Sequence, residues 1–267
     1  LVGLGWLLDV SAYHVSPGAF SVRFDLCVYH YESKIIYPFK HSITVVHIII
    51  VMTINIDMLG NNFVQKCLDS DILTDPWAHT LTANHIDVAE FEKLNATCRK
   101  LLDIKMSDMP TYKGQTENQI VPKRFKEFGI DWYDQILDIS KSIYENRKKL
   151  ADHFENHRWY DDLCVTAYIG VQPPKPYKHE IHDETASKIW SSVTYVTPDV
   201  NCGTMMYTEN KAESLVKEAP WAPNSSMIFC GVHNETWHSY ESTEDSNRVT
   251  LNFFIKQKQG TKDPFYP

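Results

Sequence analysis

Two histidines, a carboxylate and an arginine carry most of the chemistry open to this sequence. His182 and Glu184 stand two apart in the run His179-Glu180-Ile181-His182-Asp183-Glu184, and His238 follows at a distance, directly after Trp237. Arg248 comes ten residues after His238 and opens the triplet Arg248-Val249-Thr250. On an extended strand, positions i and i+2 share a face, so the His182 imidazole and the Glu184 carboxylate converge while Asp183 turns away. Two imidazoles and one carboxylate can cap one face of Fe(II) and leave the other face open for further ligands. A guanidinium placed some way off offers a planar fork for a carboxylate. Two rival histidines are weaker: His233 lacks the preceding tryptophan and lies fifteen residues before Arg248, and His179 reads as an exposed loop residue.

Elements must hold these groups in place. From residue 163 the pattern is one of short β runs, expected over 163–169, 189–196, 204–207, 226–230 and 248–256, with Pro, Asn and Gly turns between them. In the last of these, Arg248, Thr250, Asn252 and Phe254 fall on one face and Val249, Leu251, Phe253 and Ile255 on the other. The apolar row can pack against helices, whereas a polar row turned into a core calls for a ligand. Helices are expected ahead of the strands. Asp87 is placed to cap one, with Glu90 in the capping-box position and Val88, Phe91, Leu94, Cys98 and Leu101 as its apolar stripe. A longer helix is expected over 131–157, burying Ile136, Ile139, Ile143, Leu150 and Phe154 and leaving Lys141, Lys148 and Lys149 in solvent. Residues 104–130 read as loop. Helices followed by closely spaced strands point to helices packed on one face of a two-sheet β structure.

Composition narrows the function classes. With 267 residues and 43% hydrophobic content there is material for one good-sized core. A net charge of −8 supplies no general basic surface, so no nucleic-acid partner is expected. The six cysteines are scattered without a Cys-x-x-Cys pair, which suits free thiols in a reducing, cytoplasmic setting. Charged residues are sparse through residue 51, and the apolar run 43–56 is short for a bilayer span and contains His47 and Asn55. Residues 1–51 are therefore expected to be a non-native or disordered extension, with Met52 or Met58 as the start, 72–257 as the domain and 258–267 as a tail.

Several ordered motifs are similar to one family. Asp75-Pro76-Trp77 with His79, Tyr168-x-Gly170, His182-x-Glu184, Lys188 with Tyr195 and then Gly203-Thr204, and Trp237-His238-Ser239 followed by Arg248-x-Thr250-x-Asn252 stand in one sequence order. Together they resemble the 2-oxoglutarate/Fe(II)-dependent oxygenases. Most members of that family carry Asp at the third metal position, and a minority such as clavaminate synthase-like enzymes carry Glu.

The resemblance implies a double-stranded β-helix, or jelly roll, of mainly β and α+β class, with N-terminal helices on one face. It implies Fe(II) held by His182, Glu184 and His238, with 2-oxoglutarate and O2 as cosubstrates. Arg248 and Thr250 would contact the far carboxylate of 2-oxoglutarate, and Tyr168 would reach the same cosubstrate. Hydroxylation of a small-molecule or peptidyl substrate, with release of succinate and CO2, is the default outcome. Two alternatives differ in kind. A cupin-like metal enzyme without 2-oxoglutarate would want a His-x-His pair and a Gly-framed second motif, which this sequence lacks. A non-catalytic jelly-roll binding domain would not need the full set of ligands together with Arg248.

Overall fold

The computed structural model describes residues 7–14, 20–27, 50–52, 58–109, 119–156 and 162–258. The chain forms two compact units, 1–56 and 57–267. In the first, β1 (Leu7–His14), β2 (Phe20–Cys27) and β3 (Ile50–Met52) make an antiparallel sheet in that order. The sequence of this stretch shows no clean alternation, and the rest of the expected extension, like most of the expected tail, lies outside the described residues.

The second unit opens with α1 (Met58–Asp69), which buries Phe63, Val64 and Cys67. This helix lies ahead of the boundary expected at residue 72 and belongs to the main core. A short strand, β4 (His79–Thr82), follows, where the sequence suggested only an extended opening. Next comes α2 (Val88–Cys98), capped as expected by Asp87, whose carboxylate accepts from Ala89 N at 3.0 Å and Glu90 N at 3.4 Å. Glu90 does not complete a capping box. Its carboxylate goes instead to Lys93 and Gln135. Val88, expected in the buried stripe, is more than half exposed, because the first turn stands clear of the core.

The expected loop over 104–130 holds more structure than its composition suggests: a 3-10 turn at Met106–Asp108, the two-residue strand β5 (Gln119–Ile120) and a 3-10 helix at Pro122–Phe128. The single long helix expected over 131–157 is two helices, α3 (Tyr133–Glu145) and α4 (Arg147–His153). Between them Asn146 takes φ −102° and ψ 10°, away from helical values, and both its backbone N–H and its side-chain amide donate to the Ser142 carbonyl, at 3.1 and 2.9 Å. The expected apolar stripe survives the break, since Ile136, Ile139, Ile143, Leu150 and Phe154 are all buried.

The remaining strands are β6 (Leu163–Gln172), β7 (Lys188–Thr197), β8 (Met205–Tyr207), β9 (Leu215–Glu218), β10 (Ser226–Phe229), β11 (Trp237–Ser239) and β12 (Arg248–Gln257). The larger antiparallel sheet has the order β4-β10-β7-β12-β6-β5, and the smaller has β11-β8-β9. The segment holding His182 extends the smaller sheet, because His182 pairs antiparallel with His238 of β11. Along the chain, β6 lies in the large sheet, the His182 segment in the small one, β7 in the large, β8 and β9 in the small, β10 in the large, β11 in the small and β12 in the large. That alternation is the winding of a double-stranded β-helix. The fold expected from the sequence is therefore the one found, with the helices packed on the outer face of the large sheet.

β12 divides the molecule. Val249, Leu251, Phe253 and Ile255 join the helices in the main core, and the opposite row, Arg248, Thr250, Asn252 and Phe254, lines a cavity. This is the alternation the sequence predicts. Among the described residues no helix is long and apolar enough to cross a membrane.

Candidate functional site

The inner faces of the two sheets enclose a cavity of about 280 Å³. His182, Glu184, His238, Arg248, Thr250 and Tyr168, widely separated in sequence, all line it. His182 and His238 face each other across the small sheet. Their backbones exchange hydrogen bonds of 3.0 and 2.8 Å, and their ring centroids lie 4.3 Å apart.

Both imidazoles are oriented in the same way. His182 Nδ1 lies 2.9 Å from the Glu180 carbonyl and His238 Nδ1 lies 2.8 Å from that of Thr236. A carbonyl can only accept, so each Nδ1 carries the proton and each Nε2 keeps a free lone pair, the tautomer a metal ligand needs. Burial pushes the pKa of both below the ordinary histidine value, that of His238 to about 4 with the neighbouring His182 contributing. Both rings are therefore neutral near pH 7.

Glu184 is buried in the same cavity, and both its oxygens are engaged. Oε1 accepts from Ser191 Oγ at 2.8 Å, and Oε2 pairs with the Lys188 ammonium. Burial alone would raise its pKa, but Lys188, His238 and Ser191 outweigh that and hold the carboxyl at about 2. The backbone at Gly231 passes so close that a Cβ there would stand 2.5 Å from the Glu184 Cβ, so a glycine is needed for the approach.

At the far end of the cavity the charge is uncompensated. Arg248 is 1% exposed. Its Nε donates to the Cys202 carbonyl at 3.3 Å and its Nη1 to Gln172 Oε1 at 3.2 Å, while Nη2 has no hydrogen-bond partner. The rings of Tyr195, Trp221 and Tyr240 surround the guanidinium at 5.6, 4.9 and 4.6 Å. No carboxylate among the described residues pairs with it. Thr250 lies one inward position along β12, and its hydroxyl accepts from Asn252 Nδ2 at 2.9 Å. Tyr168 stands opposite Asn252 on β6 and stacks on Phe254 with centroids 5.6 Å apart.

The rival histidines separate. His233 is exposed on a loop and pairs with Asp183 at 2.6 Å, away from the cavity. His179, expected as an exposed loop residue, instead lines the cavity and stacks on Tyr240 at 4.8 Å. Sequence reasoning also passed over Ser191, Gln172 and Tyr240. Gln172 was accessible in principle, since it continues the inward row Tyr168-Gly170-Gln172. Ser191 and Tyr240 carry no local signal.

The donor set suits Fe(II) in kind, with two neutral imidazoles that present free Nε2 atoms and one ionised carboxylate in a single cavity. It is not closed. Among the described residues no group of three or more His, Cys, Asp or Glu side chains is placed to hold a metal ion, and the Glu184 carboxylate is held by Lys188 and Ser191.

No protein-family model and no curated protein matches the sequence. Solved structures of similar shape include a prolyl-4-hydroxylase from Pseudomonas putida, 11% identical, covering 76% of this chain and 95% of that one at a TM-score of 0.43. A prolyl hydroxylase from Trichoplax adhaerens, solved with a hypoxia inducible factor peptide fragment, is 12% identical over 76% of this chain and 91% of its own, with a TM-score of 0.48. EvdO2 from Micromonospora carbonacea var. aurantiaca is 14% identical over 78% and 93%, with a TM-score of 0.44. The strand order of the two sheets, independently of any of these, makes this chain a double-stranded β-helix protein.

Proposed function

We propose that this chain is an Fe(II)- and 2-oxoglutarate-dependent oxygenase that hydroxylates a small-molecule or peptidyl substrate. One observation carries the reading: a fully buried arginine with no anionic partner among the described residues, one guanidinium nitrogen free, in the same cavity as two histidines whose Nε2 lone pairs are free. A buried cation without a counter-ion is expensive, and an incoming carboxylate relieves that cost. A dicarboxylate can offer one end to Arg248 and keep its other end within the cavity that the two histidines also line.

In this reading His182, His238 and Glu184 hold the iron. When bound, the iron supplies the O2 chemistry that side chains cannot perform. Arg248 makes a charge-assisted pair with the far carboxylate of 2-oxoglutarate, and the Thr250 hydroxyl adds a hydrogen bond beside it. The Glu180 and Thr236 carbonyls keep the two imidazoles turned the right way. Tyr195, Trp221 and Tyr240 exclude water around the guanidinium, which strengthens its pairing. Tyr168 borders the same space and helps to shape it.

Anaerobic addition of Fe(II) and 2-oxoglutarate tests this directly. A weak visible charge-transfer absorption should arise only when both are present. Absorption that never arises, together with no succinate formed in air over a panel of amino acids, peptides and sugars, would overturn the proposal.

A further inference from the structure

We infer that Lys188 is an internal counter-cation for Glu184 that a metal ion must displace, so that this lysine sets the metal affinity of the site. The inference rests on the metal-site reading of His182, Glu184 and His238. It explains why three suitable donors share a cavity without closing into a site.

Glu184 is 4% exposed and the Lys188 side chain 19%. A carboxylate so deeply buried cannot stay ionised without a cation, and the lysine provides one from within the chain. A short turn brings them together, with Lys188 N donating to the Thr185 carbonyl at 2.8 Å where β7 begins. The ammonium and a divalent metal are alternatives, since both need the same carboxylate oxygen and they repel each other at that distance.

The surroundings suit an exchange. Ser191 holds the other oxygen, so Glu184 stays oriented when its cation changes, as ligating carboxylates are commonly steadied by a second hydrogen bond. The Lys188 ammonium already stands 4.3 Å from the centre of the Phe254 ring, a face that can keep a displaced ammonium in the cavity wall. Lys256 provides an internal control. It pairs with Lys188 across the strands, lies 5.2 Å from the same ring and feels the charge of Glu184, yet makes no ion pair with it among the described residues.

The test is anaerobic Co(II) titration of the full chain, read by visible absorption, in wild type, Lys188→Met and Lys256→Met. Lys188→Met should bind Co(II) at least about tenfold more tightly, because a buried ion pair no longer has to be broken. Lys256→Met, which removes a similar charge without breaking that pair, should change affinity by less than about threefold on the same scale. Equal affinities in wild type and Lys188→Met, or equal gains in both variants, would overturn the inference while leaving the metal site standing. Absence of Co(II) binding in every protein would overturn both. Should Lys188→Met not fold, the wild type decides. Acetylation of Lys188, followed by mass spectrometry, should speed up on Co(II) binding relative to the exposed Lys148, and an unchanged ratio would overturn the displacement.

Discussion

The two ends of the cavity handle buried charge in opposite ways. At the Arg248 end a cation is enclosed by aromatic rings, and no anion among the described residues meets it. At the Glu184 end an anion is enclosed and the chain supplies its own cation, Lys188. An end left uncompensated is ready for an external partner of opposite charge. An end already neutralised admits a partner only by exchange. In the proposed reading the first end would seat an anion, and the second would seat a metal only once Lys188 leaves Glu184.

The largest effects should come from the groups with no substitute. His182→Ala or His238→Ala should abolish Fe(II) binding and turnover, because either change removes one of the two paired imidazoles proposed to hold the metal with Glu184. Full activity in either variant would remove the metal end from the comparison. Arg248→Ala should raise the 2-oxoglutarate requirement by at least about tenfold, from a cost on the order of 2–5 kcal/mol for an unpaired buried carboxylate. Isothermal titration at fixed Fe(II) measures this, and metal affinity should hardly move. Arg248→Lys should recover only part of the loss, since a point charge cannot reproduce the fork. Equal binding in wild type and Arg248→Ala would make the arginine structural.

Ser191→Ala should have an intermediate effect confined to the other end, weakening metal binding by roughly tenfold through loss of the hydrogen bond that orients Glu184. A change in 2-oxoglutarate affinity of similar size would show that the two ends are not separable. The smallest effect belongs to Asp183, whose carboxylate ties the His182 segment to the loop before β11 through His233 and Asn234 N, at 2.6 and 2.8 Å. Asp183→Ala should retain turnover and lose no more than about 1 kcal/mol of stability, as expected for a pair with an exposed partner. Loss of metal binding in Asp183→Ala, with Glu184→Ala still competent, would show that the carboxylate ligand is the neighbouring residue.

Period-2 and period-3.6 patterning settled much of this molecule in advance. The alternation along residues 248–255 was enough to send Val249, Leu251, Phe253 and Ile255 to the helices and Arg248, Thr250 and Asn252 inward, because side-chain direction on a strand is a local property of the backbone. The cap at Asp87 and the stripe from Ile136 to Phe154 were legible for the same reason. Where local signals were balanced, tertiary contacts decided. The break at Asn146 lies in backbone torsions that composition does not announce, and α1 became part of the core because Phe63 and Cys67 found partners distant in sequence.

The residue types that could hold a metal and a carboxylate were therefore readable from the sequence, as was their order along the chain. Whether a buried charge has a partner was not, because pairing depends on which side chains converge after the sheets wind around each other. Only the folded structure leaves Arg248 without an anion among the described residues and sets Lys188 on Glu184, since four residues along a strand and turn can place two side chains together or apart.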